Sequence, residues 1–259
     1  MKEILNKLIN NGFEAFVVGG YVRDYLLSLD SYDIDICTNA KIEDIINIFN
    51  GIGKANKEYY SYHINKDNIT YAITSYRKEL EYYKNKPIEL EYAKDLKEDL
   101  LRRDFTINTI AMDIDGNIID LLDAKKDLNN RIIRVVGDTY NKFNEDKTRI
   151  IRAIRFASIL DFDLDKEIEE FLINNASLLN EVPKEYIKKE LDKIFESQNY
   201  IKFFELVDKY NLKSYLYINY SNIKPNCDKM EVWAQIDTEL PLSNKEKNIC
   251  NTIKGGHNE

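Results

Sequence analysis

Cysteine is scarce in this 259-residue chain: Cys37, Cys227 and Cys250 make an odd count with no Cys-x-x-Cys pair. Neither a disulfide framework nor a zinc knuckle is built that way, and a reducing compartment is expected. Nine glycines and four prolines are too few for a low-complexity or disordered chain. No apolar run reaches the length of a signal-peptide core or a membrane span, so a cytoplasmic location without membrane partners is expected. Positive charge is not in excess. The formal net charge of −8 argues against a protein that is basic all over, yet leaves room for a local basic surface. Histidine is nearly missing too. His63 falls in an expected hairpin, where a packing or surface role is expected, and His257 in an expected frayed tail.

The 44% of hydrophobic residues and 32% of charged ones describe a folded globular chain, long enough for one large domain or two modest ones. The N-terminal Ile4, Leu5, Leu8 and Ile9 have the spacing of an amphipathic helix. Up to about residue 140, short β-rich runs mix with helical periods. Residues 15–20 (AFVVGG) read as a buried strand ending in a turn, 32–38 (YDIDICT) as an alternating strand, and 59–76 as a hairpin closed around Lys66, Asp67 and Asn68. Together they predict a small mixed sheet. Beyond about 140 the apolar spacing turns to three and four and predicts an all-helical region, with Pro183 in the first turn of one helix.

Three clusters carry chemistry. In GGYVRDYLLSLDSYDIDICT, Gly19 and Gly20 follow a strand and precede a helix, so the backbone can approach a bound group and the helix start suits phosphate. Strand alternation then puts Asp33 and Asp35 on one face. A lone Asp-x-Asp is usually the solvated face of an edge strand, but the glycine turn with Arg23 favours a divalent cation such as Mg²⁺, bound by two carboxylates and substrate phosphates. Arg23 can grip a triphosphate bidentately. Asp24 fits a structural role at the helix turn as well. In the second cluster, LLRRDFTINTIAMD, Arg102 and Arg103 offer phosphate or base contacts. Asp104 can accept from a ribose hydroxyl or cap a helix expected over Phe105–Met112. In the third, FNEDKTRIIRAIRFA, Glu145, Arg149, Arg152 and Phe156 fall in one helical stripe flanked by Asp146, with Ile150, Ile151, Ile154 and Ala157 turned to a core. An i,i+4 ion pair between Glu145 and Arg149 is the plain alternative. Residues 131–155 hold seven basic side chains against three acids, a positive strip in an acidic chain.

The strings GGYVRD, DID, RRDFTINTIAMD and EDKTRIIRAIRFA, in that order over residues 15–158, resemble the class II tRNA nucleotidyltransferase and bacterial poly(A) polymerase family, which shares a superfamily with polymerase β. Weaker similarity runs through VWAQIDTELPLSNKEKNI. The resemblance implies an α+β fold: a polymerase β-like nucleotidyltransferase head over residues 1–140, then a helical neck and shortened body over 141–259 for base selection and RNA binding. It also implies that Asp33 and Asp35 bind catalytic Mg²⁺ and that Gly19, Gly20 and Arg23 meet the incoming triphosphate. Arg103 and Asp104 would take the sugar and phosphates, and Asp146, Arg149, Arg152 and Arg155 the base and phosphate side. The activity implied is addition of CMP and AMP, from CTP and ATP, to the tRNA 3′ end. A poly(A) polymerase, a partial CC- or A-adding enzyme, or an impaired RNA-binding relative are the alternatives, and no protein partner is expected. The segment between Arg77 and Arg102 is about as long as the flexible loop of full CCA-adding members. No His-Asp dipeptide of an appended phosphohydrolase domain is present. Ala72 stands where members often carry a further acid, Tyr59-Tyr60 where they often carry His-Gly, and Thr148 where an apolar residue is usual. The helical part is shorter than in typical members, which implies weak, salt-sensitive RNA binding.

Overall fold

The computed structural model describes residues 1–256, so His257 lies outside the described residues. The chain forms two compact units, Met1–Asn130 with Arg134–Asp138, and Arg131–Ile133 with the residues from Thr139 on.

The first unit opens with helix α1 (Lys2–Asn10), which buries Ile4, Leu5 and Leu8. Strand β1 (Ala15–Val18) runs into helix α2 (Gly20–Leu26), and β2 (Asp33–Thr38) into α3 (Ile42–Phe49). Then come β3 (Lys54–Asn56), β4 (Ser61–Lys66) and β5 (Ile69–Ser75). The β4–β5 turn is Asp67-Asn68, both at positive φ (53° and 60°), as a tight hairpin requires. Strands β6 (Arg77–Tyr83) and β7 (Lys86–Tyr92) form a second hairpin, and α4 (Leu96–Leu101), β8 (Ala111–Met112), β9 (Ile118–Ile119) and α5 (Ala124–Asn129) complete the unit. Seven strands pair in the order β3-β4-β5-β2-β1-β8-β9. Only β2 and β5 run parallel; the other pairs are antiparallel, a mixed sheet as expected. Val18, Cys37, Tyr76, Leu96, Leu100 and Ala111 cluster in the core, and through them α4 is fixed against the sheet.

Two expectations change here. The segment after Arg77, expected as a loop, is the β6–β7 hairpin, turning through Lys84-Asn85 at φ 48° and 64°. The helix expected over Phe105–Met112 does not form. Thr106–Asn108 make one 3₁₀ turn and Ala111–Met112 pair with β1. Thr106, Ile107, Thr109 and Ile110 are all β-branched, which disfavours helix.

In the second unit β10 (Ile132–Ile133) precedes α6 (Thr139–Glu145) and α7 (Thr148–Leu160). Strand β11 (Asp163–Leu164), α8 (Lys166–Asn175), α9 (Lys184–Phe195) and α10 (Tyr200–Lys209) follow. The described chain ends with β12 (Ile218–Asn219), α11 (Lys229–Ala234), β13 (Asp237–Thr238) and α12 (Asn244–Gly256). Pro183 sits at the N-cap of α9. The region is not purely helical, because β10 pairs with β11 and β12 with β13. Ile150, Ile151, Ile154 and Ala157 of α7 have no exposed surface, as their spacing predicts. Phe195 stacks on Phe204 and meets Trp233 edge-on, so α9, α10 and α11 close a shared aromatic core.

Candidate active site

β1 and β2 pair with Val18 opposite Asp35, which sets the carboxylate beside the end of β1 where the chain bends. Asp33 and Asp35 are both exposed while Ile34 and Ile36 between and beyond them are buried, so the two acids share the solvent-facing side of β2. Gly19 makes the bend at φ 81° and ψ −137°, a conformation open almost only to glycine. A Cβ there would lie 3.2 Å from Nη1 of Arg103 and 3.5 Å from Oδ2 of Asp35. The glycine bend, one carboxylate and an arginine of the second cluster thus converge on one point.

Asp35 is open to solvent on one side, but the protein packed around it pushes its carboxyl above the ordinary range; Arg103 pulls it back and Asp33 adds repulsion. Such a pair of acids favours a cation between them. β5 lies beside β2 with Ala72 in register with Asp35, and no residue of β5 is acidic. The described residues contain no group of three or more acids, histidines or cysteines placed to hold a metal. His63 is exposed on β4, opposite Ala72, with Nε2 3.3 Å from Ser61 Oγ.

Arg102 and Arg103 follow the end of α4 and are held by Asp99, one turn back. Arg102 Nε donates to Asp99 Oδ1 at 2.9 Å and Arg103 Nη2 to Oδ2 at 3.3 Å. Arg77 donates its backbone N–H to Asp99 Oδ1 at 3.2 Å, and Glu79 ties Arg102 and Arg77 at 3.2 and 2.9 Å. Arg103 Nε is buried without an acceptor among the described residues, a donor left for a bound group.

The other candidates are placed differently. Arg23 is 8% exposed and turned inward, its Nη2 2.6 Å from Asp24 Oδ1 and its Nη1 donating to Asn108 Oδ1 at 2.8 Å. Asp24 therefore partners Arg23 at the helix turn. Asn108 Nδ2 in turn donates to Asp104 Oδ1 at 3.0 Å, which also accepts from the Phe105 amide at 2.8 Å. Gly20 lies at the start of α2, an ideal Cβ on it reaching Arg23 Nη2 at 3.6 Å.

In the second unit the single stripe expected across residues 145–156 is broken, because α6 ends at Glu145 and α7 starts at Thr148. Asp146 lies in the break and its Oδ1 accepts from the Thr148 amide at 2.9 Å and hydroxyl at 2.6 Å. Arg149 is buried, its Nη1 donating to Lys142 O at 2.8 Å and to Glu145 Oε2 at 3.1 Å. Arg155 is bound by the buried Glu190 of α9 and lies 3.9 Å over the Phe156 ring, with Arg152 at 5.5 Å from the same ring.

Asp99, Glu79 and Asn108 escaped sequence reasoning. The first had a signal, since acids three and four residues before arginines pair on a helix. The other two act across the fold and had none.

A glycine bend, an Asp-x-Asp strand and an arginine pair over a mixed sheet define a nucleotidyltransferase head. The family model described as "Poly A polymerase head domain" matches residues 15–134, and that described as "Probable RNA and SrmB- binding site of polymerase A" matches residues 161–220. Among curated proteins, a CCA-adding enzyme of Staphylococcus epidermidis is 38% identical over 84% of this chain and 54% of its own length. One of Ligilactobacillus salivarius is 37% identical over 97% of this chain and 65% of its own length. Among solved structures, the Bacillus stearothermophilus CCA-adding enzyme in complex with CTP is similar at a TM-score of 0.76 and 33% identity, over 83% of this chain and 53% of that one. The Thermotoga maritima CCA-adding enzyme complexed with tRNA matches at 0.70 and 26%, over 85% and 52%. The chain belongs to the poly(A) polymerase and CCA-adding nucleotidyltransferase family. It spans about half to two thirds of the length of these relatives.

Proposed function

We propose that this chain is a template-independent RNA nucleotidyltransferase that adds CMP and AMP to the tRNA 3′ end in the cytoplasm, using Mg²⁺. The convergence of Gly19, Asp35 and Arg103 on one point carries the reading. Two exposed carboxylates, one of them pushed up by its surroundings, fit a hard divalent cation that takes its other ligands from water and phosphates. When bound, such an ion supplies positive charge at the transferring phosphate.

The chain's own groups do the rest. The Gly19–Gly20 backbone admits the triphosphate closely, and the unpartnered Nε of Arg103 donates to it. Asp104, fixed by Asn108, accepts from the sugar. Asp146 and Arg149 select the base: cytosine and adenine each present an exocyclic amine beside a ring-nitrogen acceptor, which an acid and a guanidinium match. Guanine and uracil present the opposite polarity and leave polar groups unpaired, at about 1 to 3 kcal/mol each. The RNA 3′-hydroxyl attacks the α-phosphate in line. The O3′–Pα bond forms, the bond from Pα to the bridging oxygen breaks, the hydroxyl proton is released and pyrophosphate leaves. The names of the relatives and the CTP and tRNA in the similar structures support this substrate class.

Incubation with tRNA lacking its 3′ CCA, Mg²⁺ and CTP or ATP tests the proposal. CMP followed by AMP incorporation is expected, with at least about a thousandfold loss in Asp33→Ala, the several kcal/mol expected of the metal's charge. Long tails from ATP alone point instead to a poly(A) polymerase. Ala72 beside Asp35 favours a second reading, an RNA-binding relative with impaired transfer, for which tRNA binds and no nucleotide is incorporated.

A further inference from the structure

Thr148 puts a hydroxyl next to the acid that the proposed function assigns to the nucleobase. We infer that Thr148 is a specificity-positioning residue, its hydroxyl occupying one oxygen of Asp146 so that only the other faces an incoming base. The inference rests on the reading of Asp146 as the base-selecting acceptor.

The geometry is local to the junction of α6 and α7. Oδ1 of Asp146 receives both the amide of Thr148 at 2.9 Å and its hydroxyl at 2.6 Å, the second a short charge-assisted bond. A carboxylate oxygen has two lone pairs, so Oδ1 is saturated. Among the described residues no hydrogen bond or ion pair engages Oδ2, which is left to accept from a ligand. The arrangement is stiff. Thr148 is 9% exposed, β-branched and therefore restricted at χ1, and followed by Ile150 and Ile151, which have no exposed surface.

A carboxylate held this way has one acceptor and one direction. It takes the amine proton of cytosine or adenine. The imino N–H of uracil or guanine is a donor at a neighbouring ring position, and a carboxylate free to turn, with a spare lone pair on Oδ1, can accept from it. Filling that lone pair from within the protein removes an acceptor the wrong bases would use, which is discrimination against the competitor rather than added affinity for the substrate.

Thr148→Val keeps the side-chain volume and the amide bond to Oδ1 and deletes only the hydroxyl. With the full chain and tRNA lacking its 3′ end, the ratio of kcat/KM for CTP to that for UTP should fall about tenfold, the scale of one hydrogen bond to a charged group. Thr148→Ser should hold the parent ratio. Where turnover is too slow to measure, the ratio of dissociation constants for CTP and UTP gives the same readout; should T148V fail to fold, T148A against T148S serves. A ratio unchanged in T148V, accompanied only by a lower melting temperature, reduces the hydroxyl to a helix cap and overturns the inference. A separate arm tests its foundation: if Asp146→Ala keeps the parent ratio, the base-selecting role of Asp146 is what fails, whatever T148V does.

Discussion

Asp99 has no exposed surface, yet three donors from Arg77, Arg102 and Arg103 converge on it. Burial acts to raise its carboxyl, but the two guanidinium groups outweigh it and hold the acid below the ordinary range. The charge does two things: it stops Arg102 and Arg103 repelling each other, and it aims Arg103 at the glycine bend. Asn at this position keeps one acceptor and removes the charge. Asp99→Asn should cost about 3 kcal/mol in urea unfolding, the usual price of leaving buried cations uncompensated. It should also raise KM for CTP by about tenfold with a smaller change in kcat, because a swung-out Arg103 weakens phosphate binding before it alters chemistry. An unchanged KM with the full loss of stability would show that Asp99 serves folding alone.

Helix α7 shows what periodicity reveals and what it hides. Ile150, Ile151, Ile154 and Ala157 repeat at three and four, and the structure buries all four completely. Ile154→Ala should therefore destabilise the protein by about 2 to 5 kcal/mol, read as a lower midpoint in denaturant with little change in m. A cost under about 1 kcal/mol would mean that the site collapses around the void. The same pattern placed Arg149 in a stripe with Glu145, Arg152 and Phe156 away from the apolar face, whereas its side chain is 6% exposed and held by Lys142 O and Glu145. Apolar spacing reports which face is buried, but a long arginine can reach back to the preceding helix, as Arg149 does to α6, and spacing carries no trace of that. In the first unit the strands β1 and β2 were legible because alternation and glycine bound them. The β6–β7 hairpin was not, since Lys84-Asn85 is a weak turn signal and charged residues are spread along both strands. The Asp33–Asp35 face followed from strand geometry alone. The arrival of Arg103 beside it at the Gly19 bend did not, because that depends on α4 docking through Leu96 and Leu100, about sixty residues along the chain.

Several carboxylates across both units are held below their ordinary range, among them Asp99, Glu79 and Glu190. Burial raises each, and the guanidinium groups of Arg102 and Arg103, of Arg102 and Arg77, and of Arg155 respectively prevail. A depressed folded pKa means that the unfolded chain binds the proton first, so these acids stabilise the fold above their unfolded values of about 4 and lose that contribution as pH falls through the folded ones. Melting temperature should stay flat from about pH 8 to 5 and drop steeply below about 4.5, and Asp99→Asn should flatten part of the drop. A parent whose melting temperature holds constant to pH 3 would contradict the assignment.

The same pairing of charges bears on the RNA binding proposed above. Residues 161–220, the stretch matched by the RNA-binding family model, contain thirteen acids against eight lysines, and most of those lysines are tied to carboxylates, as Lys209 is to Glu169 at 2.6 Å and Lys188 to Asp192 at 2.7 Å. Of the seven basic residues between 131 and 155, at least four are engaged by acids, among them Asp127, Glu181, Glu145 and Glu190. Each phosphate neutralised on binding contributes about −0.7 to −0.9 to the slope of log K against log salt, and a cation already matched by an acid releases few counterions. Fluorescence anisotropy with labelled tRNA between about 50 and 200 mM salt should therefore give a slope of about −3 or shallower, so the salt sensitivity that a basic strip implies is muted by its own ion pairs. A slope of about −6 or steeper would mean that these pairs open on the RNA and that the lysines and arginines are surrendered to phosphate.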